Sequence, residues 1–319
     1  MKITPILHIL SILVMPLAGF MVISGLVDLF YSNINWINFF SSAVITLFIG
    51  MSVFLATRTN RDQNLDLRQA FILTTLSWLT IAIFGAIPFY LSNINLNFTN
   101  SFFESMSGIT TTGSTVMIDI ESSPPGILVW RSLLQWLGGI GVIVMAIAIF
   151  PMLSVGGMQL FKTENFEAPE KVIPRATSLA RGIFIIYSVL TLIWATLLYF
   201  SGMYAFDAIL HSMTTIATGG YSTKTNSIGA FNSDIIDWVI IIGMIMGSLP
   251  FIHYLAITRG SFNELIKDSQ VQLFLGLLSS IIIIIFCLLL FNNTYEWKDA
   301  IRYSAFNVTS ILTGTGYGT

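Results

Sequence analysis

Long uninterrupted apolar runs decide most of what this sequence can fold into. Ile6–Phe30, Ile37–Thr57, Gln69–Leu91, Gly126–Leu153, Gly182–Ser201, Ile235–Ile257 and Val271–Phe291 each reach the length of roughly 20 residues that a helix needs to cross a hydrocarbon core of about 30 Å. The runs are continuous rather than alternating residue by residue, which argues against a transmembrane barrel. Charged residues make up 9% of the 319 and hydrophobic ones 55%, against about 25% charged in an ordinary soluble domain. Most of the surface therefore faces lipid. The first run follows Met1-Lys2 and is too long for a signal-peptide core, with no small-residue cleavage site behind it, so it reads as a retained span.

Lys and Arg in short loops mark the cytoplasmic side. Lys2, Arg58, Arg61, Arg68, Lys162, Lys171, Arg175, Arg181, Arg259 and Lys267 fall on one side of the seven spans, and Arg131, Lys224, Lys298 and Arg302 on the other. That bias places the N-terminus in the cytoplasm of a multi-pass protein of the inner (plasma) membrane type. Net charge is −2 with no basic cluster, which gives no footprint for nucleic acid. Cys287 is the single cysteine, so no intramolecular disulfide forms. No cofactor motif is present: Gly138, Gly139 and Gly141 lie within an apolar span, where close helix packing beneath a neighbouring loop explains them better than a nucleotide.

Three further segments are too apolar for loops and too short to cross: Phe98–Thr115, Ala205–Ser222 and Glu296–Thr319, all on the external side. They align without gaps. Phe102–Thr115 reads FFESMSGITTTGST, Ile209–Ser222 reads ILHSMTTIATGGYS, and Ala305–Gly318 reads AFNVTSILTGTGYG, with Gly113, Gly220 and Gly316 in register. A single Thr-Gly pair is ordinary turn chemistry. Three copies, each after a long helix, form an internal repeat of about 100 residues. Each reads as a short helix followed by a re-entrant loop, a backbone tolerated at membrane depth only where it lines a cavity.

The composition of these loops suits a dehydrating monovalent cation. Backbone carbonyls can replace a hydration shell, and glycine gives the backbone the positive φ that such an arrangement needs. Threonine hydroxyls add oxygen without charge, and a helix C-terminus aimed at the ion favours positive charge. No Asp or Glu interrupts the three Thr/Gly stretches. Glu104, His211 and Asn307 occupy equivalent positions in the short helices; Glu104 either draws cations or braces its helix.

These loops resemble those of the Trk/Ktr/HKT superfamily of potassium transporters. Trp130–Gly141 (WRSLLQWLGGIG) resembles the second helix of that superfamily's first repeat, and Ser154–Phe161 (SVGGMQLF) the cytoplasmic segment of its bacterial Trk branch, as do two extra helices ahead of the first repeat. The resemblance covers essentially the whole chain. It implies an all-α integral membrane fold, with helix–pore loop–helix units around a pseudo-fourfold, potassium-channel-like pore. On that plan residues 1–60 are two N-terminal spans, 61–160 the first repeat, 161–181 a cytoplasmic loop, 182–260 the second repeat and 261–319 part of a third. It further implies a selectivity filter of carbonyls from Thr111, Thr112 and Gly113, from Thr218, Gly219 and Gly220, and from Gly314, Thr315 and Gly316. Serine at the first filter glycine accompanies sodium preference in relatives, so Gly113 points to potassium as the transported substrate, with a sodium- or mixed-cation-conducting member as the alternative. A homodimer and a cytosolic nucleotide-binding regulatory subunit are implied partners, and the mixed-charge loop Lys162–Lys171 is a candidate docking site for the latter. Passive flux and symport with protons or sodium both stay open. The sequence ends at Thr319, directly after the third loop, so the expectation is a fragment of a longer, four-repeat protein that transports nothing by itself.

An embedded enzyme using Glu104, His211 and His253 is the rival from another class. It lacks HExxH, paired acids within a span, or a Ser/His/Asp set, so no enzyme is expected. An inert assembly subunit has no reason to keep all three loop glycines. Trp36, Trp130 and Trp297 fall near external span ends and read as interfacial anchors. Met145, Met152 and Met158 read as packing or lipid contacts, and His8 and His253 as isolated.

Overall fold

The computed structural model describes residues 3–58, 67–153, 172–258 and 260–319, and every regular element among them is helical. Ser154–Phe161 and the loop Lys162–Lys171 lie outside them, as do the side chains of Met145, Met152 and Met158. In chain order the helices are α1 (Thr4–Phe30), α2 (Trp36–Thr57), α3 (Leu67–Leu91), α4 (Phe98–Ile109), α5 (Pro125–Leu153), α6 (Val172–Phe200), α7 (Ala205–Ile216), α8 (Asp234–Ser248), α9 (Phe251–Thr258), α10 (Asn263–Lys267), α11 (Ser269–Phe291) and α12 (Trp297–Leu312). Among the described residues, five of these, α1, α2, α3, α6 and α11, are long and apolar enough to cross a membrane, and α8 with α9 makes a sixth if counted as one broken span. Helix α6 starts at Val172, so the later part of the expected cytoplasmic loop is helical.

The helices gather into two compact bodies. One holds α1 to α4 and the first part of α5; the other holds α6 to α12 together with residues 111–113 and 139–144. In the first body α1 packs on α2 and α3, and α3 on α4. Gly25 brings α1 against Phe39 and Phe40, where a Cβ would stand 3.0–3.1 Å from their side chains. Near the end of α1, the buried Asp28 accepts from the Gly126 N–H at 2.6 Å and from Asn35 Nδ2 at 2.9 Å. Gly126 lies in the first turn of α5, so this carboxylate meets an amide with no helical partner at the positive end of the helix dipole. His8 is not isolated: its Nδ1 lies 3.0 Å from Thr57 Oγ1 and its ring stacks on Phe54. Trp130 is not an interfacial anchor, because its indole is fully buried and donates to the Gly85 carbonyl at 2.9 Å.

In the second body α6 packs on α7, α8 and α9, and α12 on α8 and α11, around Leu198, Met203, Ile228, Ile240, Met244 and Phe306. The expected span Ile235–Ile257 is two helices, bent by 91° between Ser248 and Phe251. Pro250 explains the break: it has no N–H for the carbonyl four residues back, and its ring crowds that turn. The orphaned carbonyl, that of Met246, accepts from the Tyr254 hydroxyl at 2.7 Å instead. Asp268 caps α11 by accepting from Gln270 and Val271 N–H, with His253 Nε2 at 3.2 Å. The Val271 N–H above all holds this carboxyl below the usual carboxylate range.

Candidate functional site

Helices α4, α7 and α12 carry the three aligned loops, and each has its own start signal or acidic first turn. Asn97 caps α4 through Asn100 N–H at 2.8 Å, while Asp207 and Asp299 lie in the first turns of α7 and α12. The ends are alike in more detail. The second residue after each helix is left-handed: Thr111 at φ 54°, Thr218 at φ 49° and Gly314 at φ 73°. Behind α7 the closing bonds are Thr218 N–H to Thr215 O and Gly219 N–H to Thr214 O, a Schellman cap; the first of them recurs behind α12 as Gly314 N–H to Ile311 O. Left-handed backbone costs a non-glycine residue roughly 1–2 kcal/mol and is rarest for a β-branched one. Two threonines hold it here where glycine stands in the third copy.

Two residues further on the backbone is left-handed again, at Gly113 (φ 80°), Gly220 (φ 78°) and Gly316 (φ 83°). Thr112, Gly219 and Thr315 between them are not. All three stretches thus repeat one alternation, and they lie in one body and touch. A Cβ on Gly113 would overlap the Gly219 carbonyl oxygen and come within 3.4 Å of that of Thr315. A Cβ on Gly220 would overlap the Thr315 oxygen, whereas one on Gly314 or Gly316 would meet no atom of the described residues within 4 Å. Of the nine residues expected at the site, Gly113, Gly219, Gly220, Thr315 and Gly316 are thus brought together, with uncharged carbonyls meeting at the glycines.

Behind the stretches runs a second, repeated layer. Glu104, fully buried, accepts from Arg131 Nε at 2.8 Å, from Thr115 Oγ1 at 2.9 Å and from Val116 N–H at 3.1 Å. Arg131 is therefore no loop cation: it is 1% exposed within α5 and paired with Glu104. The carboxylate braces the chain after the first stretch. His211 does the same eleven residues ahead of Ser222, with Nε2 2.9 Å from Ser222 Oγ and Nδ1 2.8 Å from the Asp207 carbonyl. A carbonyl only accepts, so the network assigns the proton to Nδ1 and leaves Nε2 to receive the Ser222 hydroxyl. The braced hydroxyls also match, Thr115 accepting from Met117 N–H and Ser222 from Lys224 N–H. In the third copy position 318 is glycine, and Asn307 reaches Thr319 Oγ1 at 3.1 Å.

The outgoing helices pack closely on the ends of the short helices. A Cβ on Gly138 would overlap the Ile109 carbonyl, and one on Gly247 would stand 2.7 Å from the equivalent Ile216 carbonyl. A Cβ on Gly139 would stand 2.7 Å from the Tyr187 hydroxyl and 3.1 Å from Ala217, as close packing predicts, while one on Gly141 would meet no atom of the described residues within 4 Å. Since a helix-end carbonyl cannot move aside as a side chain can, Gly138→Ala should cost about 3 kcal/mol. The measurement is the thermal unfolding midpoint in detergent, and an unchanged midpoint would mean that α5 is not held against Ile109. Sequence reasoning did not single out Thr115, Ser222, Arg131 or Tyr317. The first two were findable, because an oxygen-bearing residue stands at the same register in both copies.

Comparison with known proteins supplies the context for this geometry. The model of the family TrkH, described as a cation transport protein, matches residues 36–313. The Trk system potassium uptake protein TrkI of Halomonas elongata is 40% identical over 316 residues, covering 98% of this chain and 63% of its own length. The Trk system potassium uptake protein TrkH of Escherichia coli K12 is 37% identical over 320 residues, covering 98% and 66%. Among solved structures, the potassium transporter TrkH of Vibrio parahaemolyticus superposes with a TM-score of 0.88 at 30% identity, over 98% of this chain and 64% of that one. The chain thus spans a little under two thirds of the length of such relatives.

Proposed function

Because the chain belongs to the TrkH family of cation transport proteins, a family of multi-pass membrane transporters rather than enzymes, we propose that it is part of a pore-forming subunit for potassium uptake. The ion would be held by the carbonyls of Thr111, Thr112 and Gly113, of Thr218, Gly219 and Gly220, and of Gly314, Thr315 and Gly316. One observation carries this reading: the same left-handed alternation recurs at the same two positions in all three copies. Two of the six residues are threonines in backbone that glycine adopts more cheaply, and retained strain of this kind belongs to sites where side chain and shape serve function. The relatives named as potassium uptake proteins supply the ion. On the same reading the protein lies in a bacterial inner membrane with its N-terminus cytoplasmic, pairs with a second copy, and answers to a cytosolic nucleotide-binding subunit.

Rubidium uptake tests it, in bacteria deficient in potassium uptake that express the protein at its natural full length. Saturable uptake that potassium inhibits and sodium does not is the expected result. Equal inhibition by sodium would replace it with the mixed-cation reading, and no uptake with the protein present in the membrane would overturn it.

A further inference from the structure

We propose that Tyr317 is a positioning residue for ion selectivity, its hydroxyl tying the third loop to the second short helix; this rests on the potassium-transport reading above. Tyr317 follows Gly316 directly and is 3% exposed, among Leu198, Met244 and Phe306. Its hydroxyl lies 2.5 Å from Thr214 Oγ1, 3.3 Å from Thr215 Oγ1 and 3.4 Å from the His211 carbonyl. Thr214 donates to the Leu210 carbonyl at 3.1 Å, so its oxygen is free to accept from the phenol. The ring itself lies 6.1 Å from that of His211, the brace of the second loop.

The backbone of the same residue is held by its own helix. Ser310 Oγ donates to the Tyr317 carbonyl at 2.7 Å, as Ser107 does to Ser114 O in the first copy. The next residue is fixed as well, Gly318 N–H donating to Ser227 Oγ and its carbonyl accepting from Gly229 N–H, both at 3.1 Å. Thr214 is the counterpart of Ser107 and Ser310, and it uses its oxygen for a tyrosine 103 residues away. This tie lies beside the place where Thr315 O fills the space at Gly220. Side chain to one helix and backbone to another, Tyr317 sets the distance between the second and third loops, and hence the spacing of the oxygens that meet an ion. Packing alone would need the ring; positioning needs the hydroxyl.

Tyr317→Phe separates the two roles, since it keeps the ring and removes the bond. In the rubidium assay, sodium should inhibit uptake roughly fivefold better in Tyr317→Phe than in wild type, the factor that a lost buried hydrogen bond is worth. Thr214→Val should shift the ratio the same way, and Thr214→Ser, which keeps the hydroxyl, should restore it. The ratio is independent of how much protein reaches the membrane. Wild-type selectivity in both Tyr317→Phe and Thr214→Val overturns the inference. If Tyr317→Phe does not accumulate, wild-type selectivity in Thr214→Val alone overturns it. Wild type that takes up no rubidium removes the transport reading and this inference with it, whereas wild-type uptake with unchanged variants removes only the tie.

Discussion

Gly113→Ser lowers the preference for potassium over sodium by roughly tenfold or more, a factor that corresponds to the 1–2 kcal/mol a Cβ costs in left-handed backbone. The strain is the smaller part of the effect. The new Cβ would overlap the Gly219 carbonyl and press on that of Thr315, so at least one proposed ligand oxygen must leave its place. Competition of potassium and sodium for rubidium uptake measures it. Unchanged selectivity in Gly113→Ser would take Gly113 out of the ion site.

Glu104→Ala is expected to cost 3–5 kcal/mol, the range for stranding one member of a buried ion pair. Arg131, 1% exposed, would keep its charge with its carboxylate gone, and Thr115 and Val116 would lose their acceptor at the same time. Loss of accumulated protein and a lower unfolding midpoint in detergent are the readouts; a wild-type midpoint would mean that the pair contributes nothing. The double change Glu104→Leu with Arg131→Met separates charge from brace. Apolar replacement of both partners is often neutral for stability. The doubly changed protein should therefore accumulate and still transport with poor selectivity, because Thr115 is no longer held.

Much of this was legible in the residues, for reasons that differ from element to element. The spans follow from apolar length alone, and α1, α2, α3 and α11 begin and end within about two residues of where the runs place them. The loops were found through repetition, because aligned Thr/Gly positions leave a period that single motifs do not. The break at Pro250 left only a proline in an apolar run, and such prolines also occur inside continuous helices, as Pro16 and Pro88 do here. Arg131 and Trp130 were misread because a count of side chains near span ends cannot see which face of α5 meets α4. Glu104 was open between attraction and bracing until Arg131 was placed beside it. The tie from Tyr317 to Thr214 joins positions with no common motif, so nothing local announces it.

The interlock of glycines and carbonyls has a consequence for how the protein comes into being. Gly113 meets Gly219, and Gly220 meets Thr315, partners about a hundred positions apart along the chain. Helices α1 to α3 and α6 close their backbone bonds within themselves and can enter the bilayer one by one as they are made. The Thr/Gly stretches cannot be completed that way, since the oxygen that fills the space at Gly220 belongs to Thr315, made about a hundred residues later. Long-range closure of this kind is slow, so the contacts among the three stretches form only after the helices that carry them are in place. A nascent chain anchored in the membrane by every helix up to α11 would still lack the Thr315 oxygen that meets Gly220.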